Sequence, residues 1–273
     1  MIVKVISIIG VLAILIGGAY YFHLTGSLAT AQTLAEDSLT DTGIDRYMDN
    51  LAFGVGERFD FDINYGFINA GYAAMEVVDI IEYNDRPCYL VSSTANSNRF
   101  FSSFYRVEDK VETVIDAVGL FPWRFEKHLS EGSYRADRIC DFDQVNNAVV
   151  YQDSTIEVQP YVQDALSVLY YIRTLDLKPN STHSVENFTD GESYSLEVKV
   201  LRRETIKVKA GRFDCIVVEP LLKSSGIFKH EGRLTVWLTD DRLKMPVLMK
   251  SKVLVGSISA ELTDYQLGEI VEF

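Results

Sequence analysis

Cysteine and basic residues are both scarce in this chain of 273 residues. Three cysteines are too few for the disulfide scaffold that many small exported domains use in place of a large core. Lysine and arginine number 26 against 39 aspartate and glutamate residues, and the formal net charge is −13. Nucleic-acid phosphates and anionic membrane surfaces are bound by clustered Lys and Arg. The overall charge therefore argues against nucleic acid as a partner and against docking by net charge onto such a membrane.

Motifs for nucleotide binding and for hydrolysis are absent as well. Gly54-Val55-Gly56 lacks the third glycine of a dinucleotide fingerprint, and the sequence contains no phosphate-binding loop, G-x-S-x-G elbow or H-E-x-x-H pair. A zinc site would need three or four ligands at defined spacing, and no such set is found. We therefore interpret the chain as non-enzymatic, with no catalytic residue, no metal and no cofactor. An enzymatic site would have to be assembled from His128, Glu131, His230, Asp240 and Asp241.

One long apolar run lies near the N-terminus. Lys4 precedes 18 uncharged residues, Val5 to Phe22, and a membrane-spanning helix needs roughly 20 apolar residues. The run is longer than the signal-peptide core of about 7–15 residues, although Ala29-Thr30-Ala31 fits a cleavage site. We expect residues 1–31 to be a transmembrane anchor, with a cleaved signal peptide as the alternative. Either would export the rest of the chain, anchored to the inner membrane and facing the periplasm or released into the periplasm.

The remaining sequence divides into a linker and one domain. Residues 32–50 are polar, acidic and poor in aromatic residues, which is typical of a tether. From residue 51 to 273, apolar and polar residues alternate in short segments, as between Phe59 and Tyr65. About a dozen such segments with short connections predict a mainly β fold. We expect an antiparallel meander that curls into an open or half barrel, because so many strands do not stay flat in one sheet.

One segment has helical rather than strand periodicity. After Pro160, the apolar residues Val162, Leu166, Leu169 and Tyr170 recur at the spacing of a helix face. Asp164 is the predicted N-cap, and the helix is expected to extend to Leu175 before Lys178-Pro179 ends it. This is the one main helix predicted for the domain.

A curled sheet with a helix against it forms a concave apolar surface, which is the usual form of a lipid or small-molecule site. We expect an apolar or lipid-like ligand to bind there. A collapsed core without a cavity is the alternative, and the chain would then be an interaction module that meets another envelope protein through a sheet edge or the turn at Asp240-Asp241. The predicted ligand-binding residues are Trp123, Phe125, Leu129, Leu166, Tyr170 and Trp237.

The three cysteines each fall inside a predicted strand, at Cys88, Cys140 and Cys215. Buried free thiols that behave as small apolar side chains are the favoured interpretation. One disulfide with an odd thiol left over is the alternative in an oxidising compartment.

Several motifs occur in order along the domain and together resemble a known family. The resemblance is to the bacterial domain-of-unknown-function family three-one-zero-eight, and it covers about residues 51–267. Because that family has no established activity, the resemblance implies an exported envelope protein and little more. The motifs are Phe53-Gly54-Val55-Gly56-Glu57-Arg58-Phe59, Tyr65 to Gly71, Glu131 to Tyr134, Val208 to Cys215, Gly226-Ile227-Phe228, Leu234 to Asp241, Pro246-Val247, Ser251-Lys252 and Gly256-Ser257.

A weaker likeness concerns the last strands. The segment from Trp237 to Tyr265 is similar to the closing strands of periplasmic lipoprotein carriers. Those carriers have an open β-barrel with helices that plug an apolar cavity. The likeness implies a comparable fold, whereas a membrane tether on this chain would not suit a carrier that diffuses freely.

Overall fold

The computed structural model describes residues 43–221, 234–252 and 256–273. Within these ranges the chain is mainly β, as the alternation predicted. The anchor or signal peptide expected at 1–31 lies outside the described residues, as does most of the expected tether. Among the described residues, no helix has the length and apolar character needed to cross a membrane.

Fourteen strands and two short helices make up the described part of the chain. The helices are α1 (Arg99–Ser102) and α2 (Ser167–Arg173). The strands are β1 (Arg58–Tyr65), β2 (Ile68–Tyr83), β3 (Arg86–Ser97), β4 (Glu108–Asp116), β5 (Pro122–Glu131), β6 (Tyr134–Asp143), β7 (Ala148–Tyr151), β8 (Ser154–Glu157), β9 (Thr182–Thr189), β10 (Glu192–Val208), β11 (Gly211–Pro220), β12 (Leu234–Thr239), β13 (Pro246–Lys252) and β14 (Ser257–Gln266).

Tight turns connect the strands where the sequence predicted them. Asn84 and Asp85, between β2 and β3, have φ angles of 52° and 58°. Two successive residues with positive φ form the turn whose twist matches a hairpin, and Asn and Asp tolerate that conformation better than other non-glycine residues. Asn147, between β6 and β7, has a φ angle of 53° for the same reason.

All fourteen strands belong to one antiparallel sheet that is not closed. Their order is β8-β7-β6-β5-β4-β3-β2-β1-β14-β13-β12-β11-β10-β9, so β8 and β9 are the two edges. The sheet curls until the edges approach each other, since Phe188 on β9 lies 6.1 Å from Phe142 and 5.9 Å from Tyr151 between ring centroids. The predicted open barrel is therefore the observed architecture.

Antiparallel pairing places successive connections at opposite ends of the sheet. The connections β1–β2, β3–β4 and β5–β6 lie at one end, which we call the distal end. The connections β2–β3, β4–β5 and β12–β13 lie at the other end, which we call the plugged end. The segment between β8 and β9, which contains α2, enters the sheet from the plugged end. There the side-chain amide of Gln163 donates to the carbonyl of Leu120 in the β4–β5 connection.

Helix α2 is shorter than the predicted helix over 164–175. The carboxylate of Asp164 accepts hydrogen bonds from the amides of Leu166 (2.7 Å) and Ser167 (2.8 Å), so it caps the turn that precedes the helix. At the other end, Thr174 and Leu175 donate to carbonyls three residues earlier, which tightens the last turn. Local hydrogen bonds therefore shorten the helix at both ends.

A buried ion pair fastens α2 inside the sheet. Arg173 is 1% exposed, and its guanidinium donates to both carboxylate oxygens of Glu57 at 2.7 and 2.6 Å. The same guanidinium donates to the carbonyls of Ala52 (3.0 Å) and Leu243 (3.1 Å). The segments before β1 and before β13 are thereby joined to the helix. Because Glu57 is itself only 2% exposed, neither charge could lose its partner without a large desolvation cost.

The residues just before β1 pack against this end of the sheet. The guanidinium of Arg46 lies 4.7 Å from the ring centroid of Tyr161 and 5.1 Å from that of Tyr171. The amide of Met48 donates to the carbonyl of Val118 at 2.9 Å. The described end of the 32–50 segment, from residue 43 onward, is thus in contact with the domain at its plugged end.

We expect Arg173→Leu to destabilise the protein by about 3–5 kcal/mol, because it leaves the Glu57 carboxylate buried without its partner. The free energy of unfolding would be measured by urea titration at pH 7. Arg203→Leu is the matched control, since Arg203 pairs with Asp240 at 2.6 Å in an exposed position and should cost less than about 1 kcal/mol. Equal losses in the two variants would contradict the role assigned to the buried pair.

Candidate functional site

The six predicted ligand-binding residues do not lie on one surface. Phe125, Leu166 and Tyr170 are buried together in the main core. Trp123 lies in a separate, smaller cluster, because a register shift between β4 and β5 next to it changes the face on which it lies. Its indole Nε1 donates to the carboxylate of Asp116 at 3.1 Å, so Trp123 is positioned as a structural residue.

The other two predicted residues lie on different strands and are half-buried. Leu129, on β5, is paired with Ala136 of β6 and lies toward the distal end. Trp237, on β12, donates its indole N–H to the carboxylate of Glu204 on β10. The predicted set therefore divides among the main core, the outer cluster and two sites on the sheet.

The residues from which an enzymatic site would be assembled are also separated. The Nδ1 atom of His128 lies 2.6 Å from the carboxylate of Asp137 on the exposed face of β5 and β6. Asp240 accepts from Arg203, and the carboxylate of Asp241 accepts from the amides that follow it in the β12–β13 connection. His230 lies outside the described residues. Both aspartates hold the plugged end together, far along the strands from the distal turn after Glu131.

The three cysteines are free and buried, as the favoured interpretation expected. Burial raises the pKa of Cys140 and of Cys215 to about 12 and raises that of Cys88 as well. A thiol with such a pKa has almost no thiolate at neutral pH and is a poor nucleophile. Across residues 43–221, 234–252 and 256–273, no three His, Cys, Asp or Glu side chains are grouped as metal ligands.

Side chains on the inner face of β3 become smaller toward the distal end. Along β3, the buried inward residues are Tyr89, Val91, Ser93 and Ala95 in order from the plugged end. On the neighbouring β2, Ala73 pairs with Ala95. At the plugged end, aromatic rings fill the interior: the ring centroid of Phe53 lies 5.2 Å from that of Tyr89 and 4.9 Å from that of Tyr170. The inner faces of β2 and β3 therefore supply less side-chain volume near the distal end, whereas Phe61 on the neighbouring β1 is level with Ala73 and Ala95.

Two buried carboxyl groups face each other on this part of the inner face. The Oδ1 atom of Asp109, on β4, accepts a hydrogen bond from the backbone amide of Ser130 at 2.8 Å. Among the described residues, no group donates a hydrogen bond to its buried Oδ2 atom. Burial, together with the charge of the nearby Glu131, raises the pKa of Asp109 to about 7. Burial also raises the pKa of Glu131. A single proton shared by the two groups would satisfy the Oδ2 atom.

Exposed apolar side chains cluster at the distal end just outside these carboxyls. We call residues 66–68, 98–106 and 132–135 the rim. Phe67 is fully exposed, and the largest exposed side chains of the α1 segment are Phe100 at 66% and Phe104 at 60%. The rings of Phe100 and Phe104 lie 5.0 Å apart between centroids. The other exposed apolar side chains of the rim are Ile68 and Tyr134.

Hydrogen bonds and ring packing hold the three segments of the rim together. The side chain of Asn98 accepts from the amide of Phe101 at 3.0 Å and donates to the carbonyl of Asn69 at 2.7 Å, which joins α1 to the start of β2. Gly132 has a φ angle of +57°, and a Cβ there would lie 2.7 Å from the ring of Tyr105. Glycine is required at that position for both reasons. The rim is therefore a preorganised surface.

The rim also differs in charge from the rest of the chain. Its three segments contain Arg99, Arg106 and Arg135 and no aspartate or glutamate, although the whole chain carries a net charge of −13. Arg106 pairs with Glu108 just outside the rim at 2.6 Å, and both groups are exposed. Sequence reasoning missed this surface. The sequence does contain a signal for it. Between Arg99 and Arg106, four aromatic residues lie outside the strand alternation and are flanked by two arginines.

Comparisons with known proteins support the fold and identify a family. The crystal structure of a beta-barrel-like protein of domain of unknown function DUF1849 from Brucella abortus matches with a TM-score of 0.54 at 10% identity, over 80% of this chain and 100% of that chain. A protein from Bacteroides fragilis, described as exported and of YmcC-like fold, matches with a TM-score of 0.36 at 10% identity, over 81% and 99%. The first likeness shows the fold alone. No curated protein matches the chain. A family model described as "Protein of unknown function (DUF3108)" matches residues 60–263.

The carboxyl pair predicts a specific pH dependence of stability. The pKa of about 7 for Asp109 in the folded protein exceeds that of an unfolded aspartate. The contribution of this group to stability is therefore fully present below about pH 4 and is lost as the pH rises through about 7. Asp109→Asn keeps the position neutral and should raise the free energy of unfolding at pH 8 by roughly 1–3 kcal/mol, with little change at pH 4. Urea titrations at both pH values would measure this. Asp153→Asn, in the exposed β7–β8 turn, is the control, and a variant no more stable than the wild type at pH 8 would refute the shared proton.

Proposed function

We propose that this chain, which belongs to DUF3108, a family of unknown function, is a non-enzymatic domain of the cell envelope that binds an apolar or lipid-like ligand. The family confirms the resemblance found in the sequence. The proposed site is the inner face of the curled sheet near its distal end. It differs from the site expected under the helix, because α2 packs against the aromatic rings of the plugged end.

The observation that carries the proposal is the decrease in side-chain size along the inner face. The buried inner residues of β3 change from Tyr89 near the plugged end to Ala95 near the distal end. Protein interiors are close-packed, so a part of a barrel with small inner side chains needs other atoms to fill it. Leu129, at the same level, is half-buried and offers an apolar contact. An acyl chain or a similar apolar group matches this surface in shape and polarity.

The proposed location rests on the sequence. The 18 uncharged residues from Val5 to Phe22 support export, with the domain either held at the inner membrane or released into the periplasm. A lipid-like ligand is available in both places. An envelope protein is the alternative partner, and in that case the interior would be filled by the chain itself and no ligand would bind.

Native mass spectrometry distinguishes these two alternatives. All described contacts lie within residues 43–273, so residues 32–273 purified without detergent keep every one of them. We expect a reproducible mass increase that disappears after solvent extraction and returns on titration with a lipid. A bare mass that stays unchanged during the titration would contradict ligand binding and favour the interaction module.

A pair of alanine variants tests the location of the site. Ala95→Leu adds three carbons to the inner face, where we expect it to displace the ligand at little cost in stability. If the interior were already filled, overpacking would destabilise the protein by about 1–3 kcal/mol. Ala74→Leu, half-buried on the opposite face of the neighbouring strand β2, is the control that should leave ligand binding unchanged. Loss of ligand in both variants, or in neither, would contradict the assignment.

A further inference from the structure

We propose that the rim docks onto the surface of a lipid bilayer that contains anionic lipid. The rim brings together five exposed apolar side chains and three arginines at one end of the molecule. This inference extends the proposed function, since it places a bilayer beside the inner face to which a lipid-like ligand would bind. It stands on separate observations, and the rim could meet a bilayer even if no lipid occupied the interior.

The apolar side chains of the rim have the composition of a membrane-interface contact. Phe67, Phe100 and Phe104 project from two different connections, so several rings reach the same end of the protein. Clustered exposed apolar side chains are uncommon on soluble monomers and mark interaction surfaces. Aromatic rings favour the boundary between hydrocarbon and headgroups, and Tyr134 adds a ring with a polar hydroxyl for that layer.

The charges of the rim favour an anionic surface over other occupants. Each Lys or Arg near an anionic bilayer contributes about 1 kcal/mol of attraction, and that attraction falls off within a Debye length. The chain as a whole, at a net charge of −13, would be repelled by the same bilayer. A second basic region, with exposed Lys207 and Arg212, lies at the plugged end near the β10–β11 turn. The rim differs from it by combining arginine with a cluster of exposed aromatic rings, and this combination favours contact through the rim.

The rim lies opposite the point at which the described chain begins. Gly43 and the residues after it pack at the plugged end, as the contact of Met48 with Val118 shows. Twenty residues separate Phe22 from Gly43, and an extended chain of that length reaches at most about 70 Å. That reach exceeds the length of the 16-residue strand β2, about 53 Å. A rim at the far end of the domain is consequently within reach of a bilayer in which an N-terminal anchor would lie.

Site-specific labelling of the full chain tests the proposal. Ser103→Cys places one thiol in the rim without removing an aromatic side chain, and Val145→Cys places one at the plugged end, where residue 145 is 53% exposed. The three native cysteines are buried, so an environment-sensitive fluorophore would react with the new thiol. Each labelled chain is reconstituted into two kinds of liposome, one of zwitterionic lipid alone and one that also contains roughly 30% anionic lipid. The anionic lipid gives the second liposome a negative surface potential. Emission wavelength and quenching by neutral acrylamide are then measured.

We expect the label at position 103 to shift to shorter wavelength and to resist acrylamide in anionic liposomes, and the label at position 145 to do neither. High salt should reverse the protection, because it screens the arginine contribution. Adding Phe100→Ser and Phe104→Ser to the rim-labelled chain should remove the protection. Replacing Arg99 or Arg135 by Gln should lower the protected-to-exposed ratio about fivefold for each arginine.

Three results would overturn the proposal. Equal protection at positions 103 and 145 would mean that the domain has no preferred orientation. Equal protection in zwitterionic and anionic liposomes would exclude the role of the arginines. Protection in detergent that grows with protein concentration would identify a second copy of the chain as the occupant. Ligand capture in native mass spectrometry is independent of these readouts, so failure of the docking proposal would leave the proposed function standing, and the reverse also holds.

Discussion

The buried ion pair between Arg173 and Glu57 closes one end of the curled sheet, and the arrangement of the rest depends on that closure. A helix of seven residues is too short to be stable in isolation, so α2 exists because tertiary contacts hold it. The guanidinium of Arg173 also binds carbonyls from two other segments, which brings the entry to β1 and the β12–β13 connection to the same place. Removing one charge would therefore affect the helix and both segments together.

The two ends of the sheet differ in how their interior is filled. Aromatic rings, the helix and the residues before β1 occupy the plugged end, and the predicted residues Leu166 and Tyr170 belong to that packing. Toward the distal end the inner faces of β2 and β3 carry small side chains, and two buried carboxyl groups lie on β4 and β5. The same strands thus combine an end filled by aromatic rings with an end at which β3 carries small side chains.

The charge distribution has a similar division. The net charge of the whole chain is strongly negative, and on that basis little affinity for an anionic surface would be expected. The rim is nevertheless basic in its own segments, because two connections that are distant in sequence supply its three arginines and none of its three segments contains an acidic residue. Glu108, just outside the rim, pairs with Arg106. Charges act over roughly 10 Å in solution, so the local set decides what the distal end can approach. Net charge describes solubility and not the preference of a particular face.

Local pattern alone determined most of the strands, the turn at Asn84-Asp85, the open antiparallel barrel and the main helix, because periodicity and turn chemistry act between residues close in sequence. It also determined the family, through motifs that occur in order. Only the tertiary structure decided which end of the sheet the helix enters, that a register shift moves Trp123 out of the main core, and that Asp109 faces Glu131. Those facts depend on how far a sheet of fourteen strands curls and on bulges between strands. The three segments of the rim come together through strand register, which none of the segments specifies by itself.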